Sequence, residues 1–145
     1  MSGRSSNLAP ADDTELRETV RTVTNYAVED VPDSDIDTHI QLAKLRIKNE
    51  TGSDKFFGDE GLAQAVIFAS AILLKSAVEN YSISNYVVGG QEIDVSDVAS
   101  ADASQFKEWS SLVRDGLENS HETTRRYDGL RNTADYITGD SDYFY

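Results

Sequence analysis

The densest hydrophobic pattern in the chain lies at residues 60–80, where bulky apolar side chains stand among five alanines. At about 100° per residue the polar positions fall on one narrow stripe, so roughly three quarters of the circumference is apolar. The stripe contains Glu60, Gln64, Ala71, Lys75 and Glu79. The large apolar residues are Leu62, Val66, Ile67, Phe68, Ile72, Leu73, Leu74 and Val78. We predict a buried central helix that other elements cover on several sides.

A protein core, and not a lipid bilayer, is the environment that this stretch favours. A helix that crosses a membrane needs about 20 consecutive and predominantly apolar residues. The apolar run here is shorter, because Gln64, Ser70 and Lys75 interrupt it. We therefore expect no contact with a membrane.

Two helices are predicted before the central one. Apolar residues at helical spacing place the first near residues 13–29, and Val31 before Pro32 then disfavours the α conformation. The second is expected to begin at a cap formed by Asp33 or Ser34 and to stop at Gly52. Its apolar stripe consists of Ile36, Ile40, Ala43 and Ile47, flanked by Leu42 and Leu45. The aromatic side chains of Phe56 and Phe57 are expected to plug one end of the core.

The pattern after the central helix changes from helical to alternating and back. Tyr86, Val87 and Val88 lead to Gly89 and Gly90, after which apolar and polar residues alternate, so we predict a β-hairpin at about residues 84–97. A fourth helix is expected to begin at Ala101 or Asp102 and to close the bundle. Its apolar stripe contains Phe106, Trp109, Leu112, Val113 and Leu117.

The predicted fold is mainly α, a small helical bundle around a central apolar helix, with a β-hairpin and extended terminal arms. Residues 1–11 form a flexible N-terminal arm, residues 12–118 the bundle with its hairpin, and residues 119–145 an extended C-terminal arm. The last segment has few aliphatic residues but several aromatic ones. It could dock on a neighbouring protein, form a solvated acidic tail, or pack back on its own domain. Its candidate partner-binding residues are Arg125, Arg126, Tyr127, Tyr136, Tyr143, Phe144 and Tyr145.

Charge and composition narrow the possible functions. The chain has 26 acidic and 13 basic residues, a formal net charge of −13, and no cysteine. Because the acids are spread along the chain, adaptation of the whole surface to salt is favoured over an acidic face for nucleic acid or a disordered acidic tail. A protein that grips DNA needs a basic patch, which this sequence lacks. Disulfides and cysteine-type zinc sites are excluded, and no signal peptide is visible at the N-terminus.

The polar motifs do not predict an enzyme. Asp33, Asp35 and Asp37 suggest a calcium loop, but Thr38 and Lys44 stand where such a loop requires glycine and glutamate, so helix-capping acids are the better interpretation. His39 and His121 have no second ligand at i+3 or i+4 on a convincing face, and a solvated or hydrogen-bonded role is expected for each. Gly89 and Gly90 fit a turn and no phosphate-binding motif. We therefore predict no catalytic residue, no metal site and no cofactor.

The order of these elements resembles the head-tail adaptor (connector) proteins of tailed viruses. Three stretches carry the likeness over roughly residues 30–118, namely DVPDSDIDTHIQLAKLRIKNETG, DEGLAQAVIFASAILLKSAVENYSI and the GGQEIDVSD hairpin. The family has no strict catalytic motif, so the likeness lies in the pattern of elements. The acid-rich, lysine-poor surface looks like that of a halophile, which suggests a virus of halophilic archaea.

The resemblance implies a structural virion protein that assembles as a homo-oligomeric ring, usually dodecameric, beneath the portal protein. Such a ring joins the portal to a neck or tail-completion protein at the head-tail interface, after assembly in the host cytoplasm. Arms would clasp the portal, and DNA would pass through the lumen without specific binding, since an acidic wall repels phosphates. The alternative is a small acidic helical regulator or inhibitor of a halophile, either antitoxin-like or a DNA mimic.

Overall fold

The computed structural model describes residues 10–81 and 93–120 of the chain. Within these residues the protein is mainly helical and has no strand, and the predicted helical bundle is confirmed. The four helices are α1 (Asp13–Thr24), α2 (Asp33–Thr51), α3 (Glu60–Val78) and α4 (Ser100–Asn119).

The α3 helix is the centre of the bundle, as its apolar pattern predicts. It packs against each of the other three helices, most extensively against α4. Two details of its predicted faces are wrong. Ala71, which shares the predicted polar stripe, is fully buried, whereas Val78, counted among the apolar residues, is exposed at the end of the helix. Burial along α3 therefore follows its neighbours as well as its periodicity.

Among the described helices, α3 alone is long and apolar enough to cross a membrane. In the fold, 67% of its most apolar window is buried inside the bundle. That arrangement is the one expected of a core helix.

The helices α3 and α4 approach each other closely at two glycines. A Cβ atom added to Gly116 would lie 2.6 Å from the carbonyl oxygen of Gly61, and one added to Gly61 would lie 2.7 Å from Ser120 Cα. Nearby, Gln64 Nε2 donates a hydrogen bond to the backbone carbonyl of Leu112 at 2.8 Å. The start of α3 therefore packs on the end of α4. Because Lys75 near the end of α3 also lies 3.2 Å from Asp102 at the start of α4, the two helices run antiparallel.

The ends of the first two helices correct the predicted boundaries. The α1 helix ends at Thr24 and not near residue 29, because Asn25 adopts the left-handed conformation and its N–H donates to Arg21 O. In α2 the N-cap is Pro32, which makes no side-chain cap hydrogen bond, so the predicted cap at Asp33 or Ser34 is wrong. The predicted stop at Gly52 is confirmed, with φ 79° and its N–H bonded to Lys48 O at 2.7 Å.

Aromatic residues fill the space between α3 and α4. Phe106 and Trp109 of α4 are buried, and their rings meet edge to face at 6.1 Å between centroids. Tyr81, which follows α3, packs in the same way on Phe106 at 5.8 Å. The α4 stripe is confirmed at Phe106, Trp109, Val113 and Leu117, while Leu112 is only partly buried. Of the two predicted plugs, Phe56 is buried and Phe57 is exposed.

The remaining predicted elements lie largely outside the described residues. Residues 82–92 of the predicted hairpin are not described, and residues 93–97 are without strand structure, although Ile93 is buried in the core. The N-terminal arm is described only from Pro10, and the C-terminal arm only to Ser120.

Candidate interaction surface

The predicted helix-capping acids of α2 hold α1 in place. Asp37 accepts two hydrogen bonds from Arg17, from Nε at 2.8 Å and from Nη2 at 3.1 Å. Asp33 accepts from Arg21 at 2.7 Å and lies 3.5 Å from Arg17. Asp33 lies in the first turn of α2, where a negative charge also interacts favourably with the helix dipole. The structure therefore gives these aspartates a part in helix packing, although no side chain caps the helix.

No metal-binding cluster of three or more His, Cys, Asp or Glu residues occurs in the two ranges that the structure describes. Asp33 and Asp37 face arginines, and His39 Nδ1 lies 2.8 Å from the backbone oxygen of Asp35 on its own helix. The hydrogen-bonded role predicted for His39 is thus confirmed, and His121 lies outside the described residues. A shallow cleft of about 260 Å³ beside Arg17 falls below the size of ordinary ligand pockets, which begin near 300 Å³.

A second polar group joins the end of α3 to the start of α4. Asp102 accepts a hydrogen bond from the Tyr81 hydroxyl at 2.6 Å, and its other oxygen lies 3.2 Å from Lys75 Nζ. These two partners, Tyr81 first, lower the pKa of the Asp102 carboxyl. The Tyr26 hydroxyl donates to Glu79 at 3.2 Å, and burial together with that carboxylate raises the pKa of Tyr26. Every partner is a side chain of the bundle, so the group ties helix ends together.

The outer face of α2 carries the exposed apolar side chains that the core does not use. Leu42 is 43% exposed and Leu45 is 56% exposed, whereas the buried face of the same helix is formed by Ile36, Ile40 and Ala43. Residues three apart lie on one side of a helix, so the two leucines are neighbours. The two leucines form what we name the α2 outer patch, consisting of Leu42 and Leu45.

The α2 outer patch lies in the most basic part of the chain. Residues 41–57 contain four bases and two acids, the reverse of the ratio in the whole sequence. Lys44 Nζ lies 4.9 Å from the centroid of the Phe57 ring, within the range of a cation–π interaction, and is paired with Asp13 at 2.6 Å. Lys48 is largely exposed and lies 3.9 Å from Asp54. Both lysines therefore already face an aspartate of the same chain.

All of the partner-binding residues predicted from the sequence lie at positions 121–145, outside the described residues. Ser120, the last described residue, is fully buried, and its hydroxyl donates to Asp59 Oδ2 at 3.0 Å. Asp59 also caps α3 by accepting from the N–H groups of Gly61 and Leu62. The segment that follows Ser120 consequently begins at the same end of the bundle as Phe57.

Sequence reasoning placed Leu42 and Leu45 beside the apolar stripe of α2 and did not identify them as a surface. At about 100° per residue, both lie more than about 120° from the centre of that stripe. This angular separation from the buried stripe is the sequence signal that could have identified the two leucines as exposed. Their exposure still depended on the absence of a neighbouring described helix on that side, which a local pattern does not reveal.

Comparison of the chain with protein-family models, with curated proteins and with solved structures found no match. The described fold defines a class, a small acidic four-helix protein built on one central helix. Its function is therefore inferred from the surfaces and charges of the chain itself.

Proposed function

We propose that this protein is a structural component of a virion, a head-tail adaptor that forms a ring between the portal and the neck or tail. The observation that carries the proposal is the exposure of Leu42 and Leu45 on a helix whose opposite face is already buried. Exposed apolar residues that cluster on a surface mark sites of protein contact. The order of the elements, which resembles that of the adaptor family, adds support.

The charge of the chain suits a channel through which DNA passes. The net charge of −13 is distributed along the sequence, and phosphates are repelled by a wall of like charge. A DNA-holding protein would instead neutralise phosphates with clustered Lys and Arg. In the proposed ring, subunits meet through different faces, as heterologous closure requires, and the acidic faces line the lumen.

The predicted hairpin and arms are proposed to make the contacts that assemble the ring and join it to the portal. A two-stranded hairpin is marginally stable alone in water, so the predicted hairpin is proposed to pack on its own bundle, as Ile93 does, or to pair with a neighbouring subunit. Arg125, Arg126 and Tyr127 are proposed to dock on the portal, since Arg and Tyr are enriched at protein interfaces. The virion, with assembly in the host cytoplasm, is the corresponding location.

Negative-stain microscopy at molar salt tests the proposal directly. The purified chain is imaged alone and with candidate portal proteins of haloarchaeal tailed viruses, and rings are expected in at least the second sample. A chain that remains a single small particle in both samples would refute the adaptor function. Sedimentation velocity on the same samples gives the mass of any assembly.

Truncation after Ser120 tests the part of the C-terminal segment. The cut must retain Ser120, because its buried hydroxyl bonds to Asp59 at the start of α3. The truncated chain is expected to keep its helical circular dichroism and to lose portal binding in a pull-down. Portal binding equal to that of the full chain would show that residues 121–145 do not dock there.

The alternative function is a small acidic helical regulator or inhibitor, antitoxin-like or a DNA mimic. The exposed acid Asp35 in the first turn of α2 favours it, since a DNA mimic must display carboxylates on a helical surface. A regulator of this kind is expected to be a monomer or dimer in high salt and to ignore portal proteins. The microscopy above therefore separates the two functions.

A further inference from the structure

We infer that one exposed face of α4 binds the turn after α1 of a neighbouring copy of the same chain. This inference rests on the proposed function, because it names a contact by which one subunit of the ring holds the next. The face consists of Lys107, Ser111 and Arg114, and we name it the α4 cationic face. The turn consists of residues 28–30, and we name it the acidic turn.

Lys107 and Arg114 are the two bases whose side chains have no partner among the described residues, and both are exposed. The described residues contain nine lysines and arginines, and the other seven each interact with another group of the chain. Those seven are Arg17, Arg21, Lys44, Arg46, Lys48, Lys55 and Lys75. The chain has twice as many acids as bases, so two cations that pair with none of them keep their charge available for another molecule.

The two cations lie on one side of α4 with a short side chain between them. Positions seven apart on a helix differ by about 20° in direction and by about 10 Å along the axis. Ser111 follows Lys107 by four residues and precedes Arg114 by three, and it is half-buried. The longer cationic side chains therefore flank a shallow seat at the serine.

The acidic turn has the complementary properties. Val28 is 58% exposed, more than any other large hydrophobic residue that the structure describes. The carboxylates of Glu29 and Asp30 are exposed and have no hydrogen bond or ion pair with another described residue. The backbone is held because Ala27 O accepts from the N–H groups of Asp30 at 3.0 Å and Val31 at 2.9 Å. One apolar side chain and two free carboxylates are therefore presented on an ordered turn.

The two surfaces match in charge and in shape. Two carboxylates meet two cations, and Val28 meets Ser111 between the alkyl stems of Lys107 and Arg114, which can cover apolar groups. Most of this acidic surface repels a second copy, so cations that are unpaired in the single chain decide where two copies approach. Glu29 and Asp30 are adjacent acids beside an exposed apolar residue, which suits them to this seat.

The geometry of the bundle places the contact between copies. Tyr26, just before the acidic turn, bonds to Glu79 at the end of α3. Arg114 lies two residues before Gly116, which packs on Gly61 at the start of α3. These two ends of α3 are about 27 Å apart, so a chain cannot bring its own turn to Arg114. Two different faces therefore meet, as closure of a ring requires.

Charge reversal tests the contact in the full chain. One variant carries Lys107→Glu with Arg114→Glu, and the other carries Glu29→Lys with Asp30→Lys. Each variant alone should associate about tenfold more weakly than the native chain, because like charges meet. An equimolar mixture should regain the native association, because every contact between the two variants joins opposite charges. Sedimentation velocity at the lowest KCl concentration at which circular dichroism shows a folded chain measures the association constants.

The matched control is Lys48→Glu with Lys55→Glu. It changes the net charge as much as the α4 variant does, but at bases that already have partners. Its association should weaken by no more than about twofold. Equal weakening in this control would overturn the inference, and so would a mixture that associates no better than either reversed variant alone.

Disulfide trapping locates the contact, since the native chain has no cysteine. Val28→Cys and Ser111→Cys are introduced into separate preparations of the full chain, which are mixed and oxidised. We expect a linked dimer whose 28–111 peptide is identified by mass spectrometry. Leu42→Cys, exposed on α2, replaces Ser111→Cys as the control and should give about tenfold less linked dimer with Val28→Cys. Equal yields, or no 28–111 link, would contradict the contact.

Microscopy of the same preparations separates this inference from the proposed function. Rings that the charge-reversed variants form as readily as the native chain overturn the inference and leave the adaptor function in place. A single particle under every condition removes both. A charge-dependent dimer that gives the 28–111 link and never forms rings supports the contact and refutes the adaptor. Rings that require the native charges and give the link support both.

Discussion

Ser70 introduces a polar atom into the apolar centre of the bundle. Its side chain is fully buried on α3, and its Oγ has no hydrogen-bond partner among the described residues. A buried hydroxyl without a partner costs about 1–3 kcal/mol. Replacement of Ser70 by Ala should therefore leave the free energy of unfolding unchanged or raise it by about 1 kcal/mol, as measured by urea denaturation.

Ser76 provides the matched control on the same helix. It is also buried, but its Oγ donates to the carbonyl of Leu73 at 3.0 Å. Ser76→Ala should lower the free energy of unfolding by about 0.5–1 kcal/mol, the usual net value of such a hydrogen bond. Equal losses in the two variants would contradict the assignment of Ser70 as the unsatisfied group.

Asp102 should make the stability of the protein depend on pH in the acid range. Hydrogen bonds from Tyr81 and then Lys75 lower its pKa in the folded state. The stabilisation is therefore present when the pH is above the pKa of the carboxyl in the unfolded chain, about 4. It is lost as the pH falls through the pKa of the carboxyl in the folded chain. Asp102→Asn should be less stable than the native chain at pH 7 and should lose less stability on acidification below about pH 4.

Chemical denaturation of both chains between pH 2 and pH 7 measures this difference, and only the comparison isolates Asp102 from the other acids. Tyr81→Phe removes the largest cause of the pKa shift and should move the acid dependence in the same direction. Parallel curves for Asp102→Asn and the native chain would show that this carboxyl is not stabilised by folding.

At the scale of the element, the crossing of α3 and α4 depends on Gly61 and Gly116. In an isolated helix, replacement of Gly116 by Ala would favour the helix by about 1 kcal/mol. Here the added Cβ would lie 2.6 Å from the carbonyl oxygen of Gly61, so the helices must move apart. We expect a net loss of about 2 kcal/mol in the free energy of unfolding, measured by thermal or chemical denaturation.

Gly58 is the control for that substitution. Nothing lies within 4 Å of a Cβ added there, and its backbone is outside the left-handed region. Gly58→Ala should change the free energy of unfolding by no more than about 0.5 kcal/mol. If Gly116→Ala proved equally neutral, the close approach of the two helices would be wrong.

The same crossing shows why elements were easier to predict than their packing. The helices followed from apolar spacing, and the stop of α2 followed from Gly52, because both are local. In the sequence, Gly116 indicates no more than a weaker stretch of α4, because glycine is a poor helix former. Its partner Gly61 is 55 positions away (116 − 61), and nothing in the spacing of either helix indicates that they meet.

At the scale of the whole molecule, the excess of negative charge should make stability depend on salt. The chain has 26 acids and 13 bases, so repulsion outweighs the ion pairs that salt also weakens. From 0.1 M to 1 M KCl the Debye length falls from about 10 Å to 3 Å. The melting temperature should rise by about 4 °C, the shift that about 1 kcal/mol produces in a domain of this size.

Differential scanning calorimetry in KCl measures that shift. As a control, Glu29→Gln with Asp30→Asn removes two exposed charges in the loop after α1 and should reduce the salt dependence. A melting temperature that is constant or falls with salt would contradict the prediction that the whole surface is adapted to salt. The excess of acidic residues would then have to be explained by local contacts and not by adaptation of the whole surface to salt.

The sequence by itself determined the four helices and the central place of α3, since apolar periodicity and turn residues act over a few neighbouring positions. It also indicated the candidate partner-binding residues from Arg125 to Tyr145, which stay a prediction because they lie outside the described residues. Only the tertiary structure decided that Asp33 and Asp37 hold α1, that two glycines meet, and that Leu42 and Leu45 face outwards. Those features depend on residues distant in the chain, whose meeting is set by how the helices pack together.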